Sequence, residues 1–589
     1  MVETRAKSDA PPLSGLLRPY LGRMLLVVAF TLVMAVCSAM VPLISSALVD
    51  RVFTQADLSL FAVLGAAYVL LPVIQQLLSI FQATIAVLLA VFFIADLRCE
   101  VYRHLLFLSL RFFHTNSAGK VVNRVMGDTD TLLFILNTSV TTTISDTIIS
   151  LIALVVTFVI NWRLALLLIL VVVVFVANFR LSIKGIVRFT RLMRREDDVL
   201  TGGVQNRMAA SLAVKSFGTE DRENAVFHAN NLSSLKYGCS RDSADNNFWI
   251  TVSLIAALGQ ALIYFCGCAM VLNGQMTYGE VLAFNLYAMQ LIWPGVRFSQ
   301  LAGRIQEAKV ALNRLREYLR EVPEIRDCEK PVRVERLKGR VDFEDVHFHY
   351  VEGVEVIRGI TLHVTPGETL AFIGATGCGK STMLNLLTRF YDVTGGKILL
   401  DGVDVRDYRL RDLQRQFGIV LQESYLFSVS VRDNIRYGAP HATQAQVEAA
   451  AKAAEIHDFI MSLPRGYDTV IGEEGSSFSV GQKQRINIAR ALCADPAIMI
   501  MDEATSSLDS DSEAAIQRGM DRLLEGRTSF VVAHRLSTIR NASQIVLIDH
   551  GVVVEHGTHD SLMAIENGRY RDLYTKHIGK GVLDDDDEE

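Results

Sequence analysis

The run Gly374-Ala375-Thr376-Gly377-Cys378-Gly379-Lys380-Ser381 has the spacing G-x-x-x-x-G-K-[ST]. It lies between an apolar run, Thr369 to Ile373, and a helix-like run, Thr382 to Phe390. Strand, loop and helix in that order let consecutive backbone N–H groups converge on a phosphate, with the positive end of the helix behind them. Lys380 is placed to reach β- and γ-phosphates, and Ser381 to ligate Mg2+. Further on, Ile498-Met499-Ile500-Met501 reads as a buried strand with Asp502 and Glu503 at its end. That arrangement suits a metal-shell carboxylate, Asp502, beside a carboxylate that polarises water, Glu503.

A chain of 589 residues needs at least two domains to position such a site. Half of its residues are hydrophobic, and they concentrate before about residue 310. Six apolar spans can be drawn: 24–48, 60–95, 140–160, 164–178, 248–272 and 278–303. Several exceed the roughly 20 residues that cross a bilayer core, so long helices projecting from the membrane are expected. Short connections near Asp50, Asn161 and Asn273 alternate with long ones at about 96–139 and 180–247. The long ones carry Arg98, Arg103, Arg111, Lys120, Arg124, Arg180, Lys184, Arg188, Arg191, Arg194 and Arg195. Cationic loops mark the cytoplasmic side.

The formal net charge of −5 gives no indication of nucleic acid as a partner. Eight cysteines without a C-x-x-C pair point to neither a metal site nor a disulfide framework. Met1 to Pro12 is polar with no small-residue cleavage site after it, so no removable signal is expected. Pro331 and the charged stretch to Arg340 read as a linker, after which strand-like and helix-like runs alternate. Asp584 to Glu589 is wholly acidic and reads as a solvated, disordered tail.

Phe478-Ser479-Val480-Gly481-Gln482 precedes Asp502 by about twenty residues and resembles the signature loop of ABC ATPases. Tyr350, Gln422, Gly472 to Gly475, Ser507-Leu508-Asp509 and His534 match other motifs of that family in the expected order. Phe113 to Gly119, with Asn123-Arg124 and Asp128 to Asp130, resembles the family's first intracellular loop. Val214 to Phe217, with Glu220, resembles the second. Six spans fused ahead of one such domain resemble a half-size ABC exporter of the bacterial multidrug and lipid-flippase type.

The resemblance implies an all-α polytopic membrane domain of the domain-swapped exporter type, followed by an α/β nucleotide-binding domain. The divisions expected are a cytoplasmic segment 1–23, a membrane domain 24–310, a linker 311–338, an ATP-binding domain 339–577 and a tail 578–589. It implies ATP with Mg2+, held by Tyr350, Gly374, Thr376, Gly377, Cys378, Gly379, Lys380, Ser381 and Thr382. Ser479, Gly481, Gln482 and Asp509 join the same binding set, with Ser479 and Gly481 meeting the γ-phosphate of a facing copy. Glu503, His534 and Gln422 are the implied catalytic residues, and Ser381, Gln422 and Asp502 the metal ligands.

The implied activity is ATP-driven export of a hydrophobic or amphipathic cargo, a lipid, drug-like compound or peptide, from the cytoplasmic side of the inner (plasma) membrane. The working unit is a pair, either two copies of this chain or this chain with a related half-transporter. The N-terminus, coupling loops and ATPase domain are expected in the cytoplasm. Import, for instance of a metal chelate, and an ATP-gated channel share every motif. A soluble ATPase acting on nucleic acid is opposed by the six spans. Val480 departs from the family's glycine, and such a side chain is harmless there only at negative φ. Cys378 is the second departure, a small residue inside the phosphate loop.

Overall fold

The computed structural model describes residues 15, 18–53, 58–137, 141–420, 425–472, 478–502, 510–532 and 536–575. Within helices, the side chains at 53, 58, 141, 292–293, 295–303, 510–513 and 536–538 are also outside the description. The chain divides into two compact units, Met1–Phe107 with Asn116–Val322, and Leu108–Thr115 with Pro323–Glu589.

The first unit is helical: α1 (Leu21–Ala47), α2 (Leu58–Leu106), α4 (Ala118–Ile135), α5 (Thr141–Ile160), α6 (Trp162–Ala209), α7 (Ser211–Ser216), α8 (Glu220–Leu272) and α9 (Tyr278–Arg320). The intervening α3 (Leu110–Thr115) belongs to the second unit. Five helical segments among the described residues are long and apolar enough to cross a membrane, those containing α1, α2, α5, α6 and α8. The 49 residues of α2 and the 53 of α8 extend well beyond a bilayer core of about 30 Å at 1.5 Å per residue. Their faces expose leucine, valine and phenylalanine, as lipid-facing helices do.

Side-chain caps set the sharp turns. Asn161 Oδ1 accepts from the N–H groups of Arg163 and Leu164 at 3.0 and 3.2 Å, which starts α6. Thr277 and Glu280 form a capping box at the start of α9. Asp50 accepts from Thr277 Oγ1 at 2.6 Å and from Gly279 N at 2.9 Å, tying the chain after α1 to the head of α9.

Polar groups inside the spans are used to join helices. Gln82 donates to Thr31 Oγ1 at 2.8 Å in a buried site, and Gln290 donates to the carbonyl of Ser38 at 3.3 Å. The helix α9 is continuous through Pro294 and runs on to Arg320. Residues 311–320, expected as linker, are therefore helical. Ala311, Leu315 and Tyr318 are buried there at helical spacing. Hydropathy falls where the helix turns charged, but its apolar stripe continues.

The second unit holds two sheets. β1 (Val341–Val351), β2 (Val354–Val364), β4 (Gly395–Leu400) and β5 (Val403–Asp404) form an antiparallel sheet in the order β2-β1-β4-β5. β3 (Thr369–Ile373), β6 (Phe417–Val420), β7 (Ile498–Asp502), β8 (Thr528–Val532), β9 (Gln544–Asp549) and β10 (Val552–Gly557) form the second, in the order β10-β9-β3-β8-β7-β6. All pairs in it are parallel except β9 with β10. The helices are α10 (Lys380–Leu387), α11 (Leu410–Gln414), α12 (Val431–Ile435), α13 (Gln444–Ala453), α14 (His457–Ser462), α15 (Val480–Ala494), α16 (Ser510–Leu524), α17 (Leu536–Asn541) and α18 (His559–Met563). The central strands are buried apart from both ends of β3 and the last residue of β7, as parallel strands covered on both faces must be.

Candidate functional site

Ligands of open parallel sheets bind beyond the carboxyl ends of the strands. β3 ends at Ile373, and the loop 374–379 leads straight into α10. The helix begins at Lys380, two residues before the expected Thr382. Gly374, Gly377 and Gly379 have φ of 151°, 83° and 114°, where side chains are strained. A Cβ on Gly374 would sit 2.1 Å from the carbonyl oxygen of Ile548, so that glycine is also required by close packing.

Lys380 is 7% exposed, and its Nζ donates to the carbonyl oxygens of Gly374 at 2.8 Å and Ala375 at 3.0 Å. Cys378 is buried, with Sγ 3.9 Å from the same Nζ. The ammonium therefore occupies the concave side of its own loop. Thr376 and Gly377 stand exposed at its rim.

Strand register places the acid. Val532 of β8 is opposite Phe372 of β3 on one side and Asp502 of β7 on the other. Asp502 is thus level with the end of β3, at the same sheet edge as the phosphate loop. Ser381 and Thr382 open the first turn of α10. Tyr350, near the end of β1, reaches that turn: its hydroxyl is 3.3 Å from Thr382 Oγ1. Edge-on contacts with Phe348 at 4.8 Å and Tyr391 at 5.1 Å set the ring. Burial holds the Tyr391 phenol above its ordinary pKa, so it stays neutral.

The segment at 478–482 forms a separate helix start. Ser479 is the N-cap of α15: its hydroxyl accepts from Gln482 N at 3.3 Å, while Gln482 Oε1 accepts from Ser479 N at 2.9 Å. S-x-x-Q is a reciprocal capping box. Gly481 is buried and Val480 is 64% exposed. Val480 is the first helical residue and has no positive φ, so a β-branched side chain fits the altered position without strain.

Gln422, Glu503, Asp509 and His534 lie outside the described residues, as do 473–477, Ser507, Leu508 and the tail 578–589. The described residues do bring together Tyr350, the loop 374–379, Lys380, Ser381 and Thr382, with Asp502 at the same sheet edge. Ser479, Gly481 and Gln482 form their own surface element. Sequence reasoning missed Tyr391, which orients Tyr350. It also missed Arg389, a buried arginine just after α10 that donates to Asp392, Tyr408 and Arg326. The only sequence signal for either was an aromatic-and-charged cluster, Arg389 to Asp392, directly after the helix.

Two family patterns match: the ABC transporter transmembrane region over residues 24–294, and the ABC transporter domain over 357–506. A Bacillus subtilis protein named "Putative multidrug export ATP-binding/permease protein YgaD" is 33% identical over 565 residues, 95% of this chain and 97% of that protein. The chain belongs to the ABC transporter family. The "ATP-dependent lipid A-core flippase" of Syntrophus aciditrophicus is 34% identical to this transporter, over 95% of this chain and 93% of its own length. A solved structure of a bacterial Atm1-family ABC exporter with ATP bound superposes with a TM-score of 0.78 at 28% identity, covering 95% of this chain and 98% of its own. The transporter is a half-size member, one helical membrane domain fused to one ATPase domain.

Proposed function

We propose that this transporter exports a hydrophobic or amphipathic cargo, with ATP clamped between two copies of the chain. The observation that carries the reading is the capped start of α15. Ser479 accepts a hydrogen bond there, which leaves its own hydroxyl proton for an acceptor, and Val480 beside it is exposed. A helix start of this kind attracts a phosphate. Each chain carries one phosphate loop and one such start, so two copies supply two complete sites. This chain therefore needs no related half-transporter to complete both sites.

Lys380 and the loop N–H groups hold the triphosphate, and Tyr350 offers a ring face to adenine. Ser381 and Asp502 provide hydroxyl and carboxylate oxygens, a donor set suited to Mg2+. When bound, the ion neutralises phosphate charge. Gln422 would join that shell, Glu503 would polarise the attacking water, His534 would act on the γ-phosphate, and Asp509 would belong to the nucleotide-binding set. ATP favours the closed pair because it binds across it, and a ligand shifts an equilibrium only by such differential affinity. Hydrolysis removes the bridging contacts and reopens the pair.

Exposed apolar surfaces support pairing. Met208, Leu212 and Phe217 around α7 are 70%, 82% and 80% exposed, and the stacked rings of Phe427 and Tyr437, 4.4 Å apart, are 45% and 58% exposed. Isolated monomers seldom leave such patches uncovered. The cationic long loops support a cytoplasmic position for the ATPase domain, and hence insertion in the inner (plasma) membrane. We place the membrane domain at about 24–310, with its last helix continuing to Arg320, and the ATP-binding domain at about 339–577. The names of the relatives, a multidrug exporter and a lipid A-core flippase, support a lipid or drug-like cargo.

Reconstitution into vesicles with the ATPase domain outside tests the direction. ATP-dependent accumulation of a labelled lipid or dye inside is expected. ATP-driven depletion from the lumen would make the protein an importer.

A further inference from the structure

The short helix α3 packs with the nucleotide-binding unit, and Arg111 is its second residue. The guanidinium forks. Nη1 donates to Glu324 Oε1 at 3.1 Å, just beyond the end of α9, and Nη2 donates to the backbone carbonyl of Tyr350. That carbonyl sits where β1 is least supported. Pairing of β1 with β4 ends at His347, and the hairpin tip beyond, Val351 and Val354, is exposed. Beyond His347 the strand has β2 alone beside it. Phe348, Tyr391 and Thr382 fix the ring of Tyr350, and Arg111 adds a hold on its backbone.

We propose that Arg111 is a positioning residue for base recognition: through the Tyr350 carbonyl it sets the height at which that ring meets an aromatic base. This rests on the reading of Tyr350 as the adenine platform. Stacking is sensitive to ring placement, whereas the phosphate contacts arise from the separate loop 374–379 and the first turn of α10. The contribution of Arg111 therefore falls on the base and not on the triphosphate. A planar, two-pronged donor is suited to the task, because one prong can stay on Glu324 while the other holds the carbonyl.

The test compares the full-length dimer with Arg111→Ala, Tyr350→Ala and the double variant. It measures KM and kcat for ATP, and inhibition by inorganic tripolyphosphate, which has no base. Arg111→Ala is expected to raise KM for ATP about five-fold with the change in KM rather than kcat, the scale of a charged hydrogen bond at a partly exposed site. The inhibition constant of tripolyphosphate should stay where it was. Tyr350→Ala should raise KM at least as much, within the range of about ten-fold or more for a lost stacking contact. The double variant should match Tyr350→Ala alone, because Arg111 acts through that ring. Additive single effects, an unchanged KM in Arg111→Ala, or equal weakening of ATP and tripolyphosphate would overturn the proposal. If Tyr350→Ala itself left KM unchanged, the adenine-platform reading would fall, and the role of Arg111 with it.

Discussion

Lys380, at the head of α10, donates through Nζ to the carbonyl oxygen of Gly374 at 2.8 Å, back across the mouth of the preceding loop. The cation is therefore both a brace for the loop and the charge that a triphosphate meets. Lys380→Ala should lower ATP hydrolysis by about a hundred-fold or more, the scale of losing a preorganised charge at a reacting centre. Lys380→Arg should rescue little, because a forked guanidinium does not fit a site where the lysine is 7% exposed. Steady-state phosphate release from the two variants checks this, and full activity in the arginine variant would speak against the nested position.

Cys378 gives the loop a chemical handle. Its thiol is buried against Gly374, and a Cβ on that glycine would lie 2.7 Å from Sγ. Maleimide should inhibit hydrolysis slowly, ATP should protect, and Cys378→Ser should be resistant while remaining active. Inhibition that persists in Cys378→Ser would locate the reactive thiol elsewhere.

Ser479 and Val480 separate two effects at one helix start. Ser479→Ala removes the capping acceptor, at a cost of about 1 kcal/mol in stability, and also the proposed phosphate donor. Its ATPase loss should therefore exceed what thermal melting accounts for. Val480→Gly should leave hydrolysis within about two-fold, because the valine is exposed at an unstrained position. A large gain in turnover on restoring glycine would mean that the valine impedes closure.

His347 is expected to make the stability of the ATPase domain depend on pH. Its Nδ1 lies 2.6 Å from Glu355 Oε1 and its Nε2 3.3 Å from Asp345 Oδ1. The hydrogen bond with Glu355 is the main reason its pKa stands above the ordinary value, with Asp345 adding to it against partial burial. A raised folded-state pKa gives stability that is complete below the unfolded value of about 6.5 and is lost as pH climbs through the folded one. The side chain is 37% exposed, so the gain stays below about 1 kcal/mol. The melting difference between wild type and His347→Gln should shrink as pH rises above about 6.5. A difference that grew with pH would reverse the assignment.

Much of this was legible in the sequence, for identifiable reasons. The phosphate loop is encoded by glycines whose spacing is a backbone requirement, and Gly374, Gly377 and Gly379 all adopt φ that side chains resist. The strand Thr369–Ile373 and the acid at Asp502 follow from short apolar runs with one polar end. Helix ends were less legible. The last membrane helix continues to Arg320 on a buried stripe of Ala311, Leu315 and Tyr318, after the hydropathy that revealed it has gone. Arg111 was visible only as one cation among many in a long loop. Its partner Tyr350 is 239 positions away, and a helix of six residues carries no periodic signal.

The central claim is that two copies place the α15 start of one against the phosphate loop of the other. A chain free of other cysteines, carrying Ala375→Cys and Val480→Cys with Glu503→Gln to hold ATP, tests it by oxidative cross-linking. Both positions are exposed in the single chain. The account predicts a covalent dimer that forms rapidly with ATP and slowly without it. Exclusively monomeric protein under every nucleotide condition, with both thiols still reactive to a small maleimide, would contradict it.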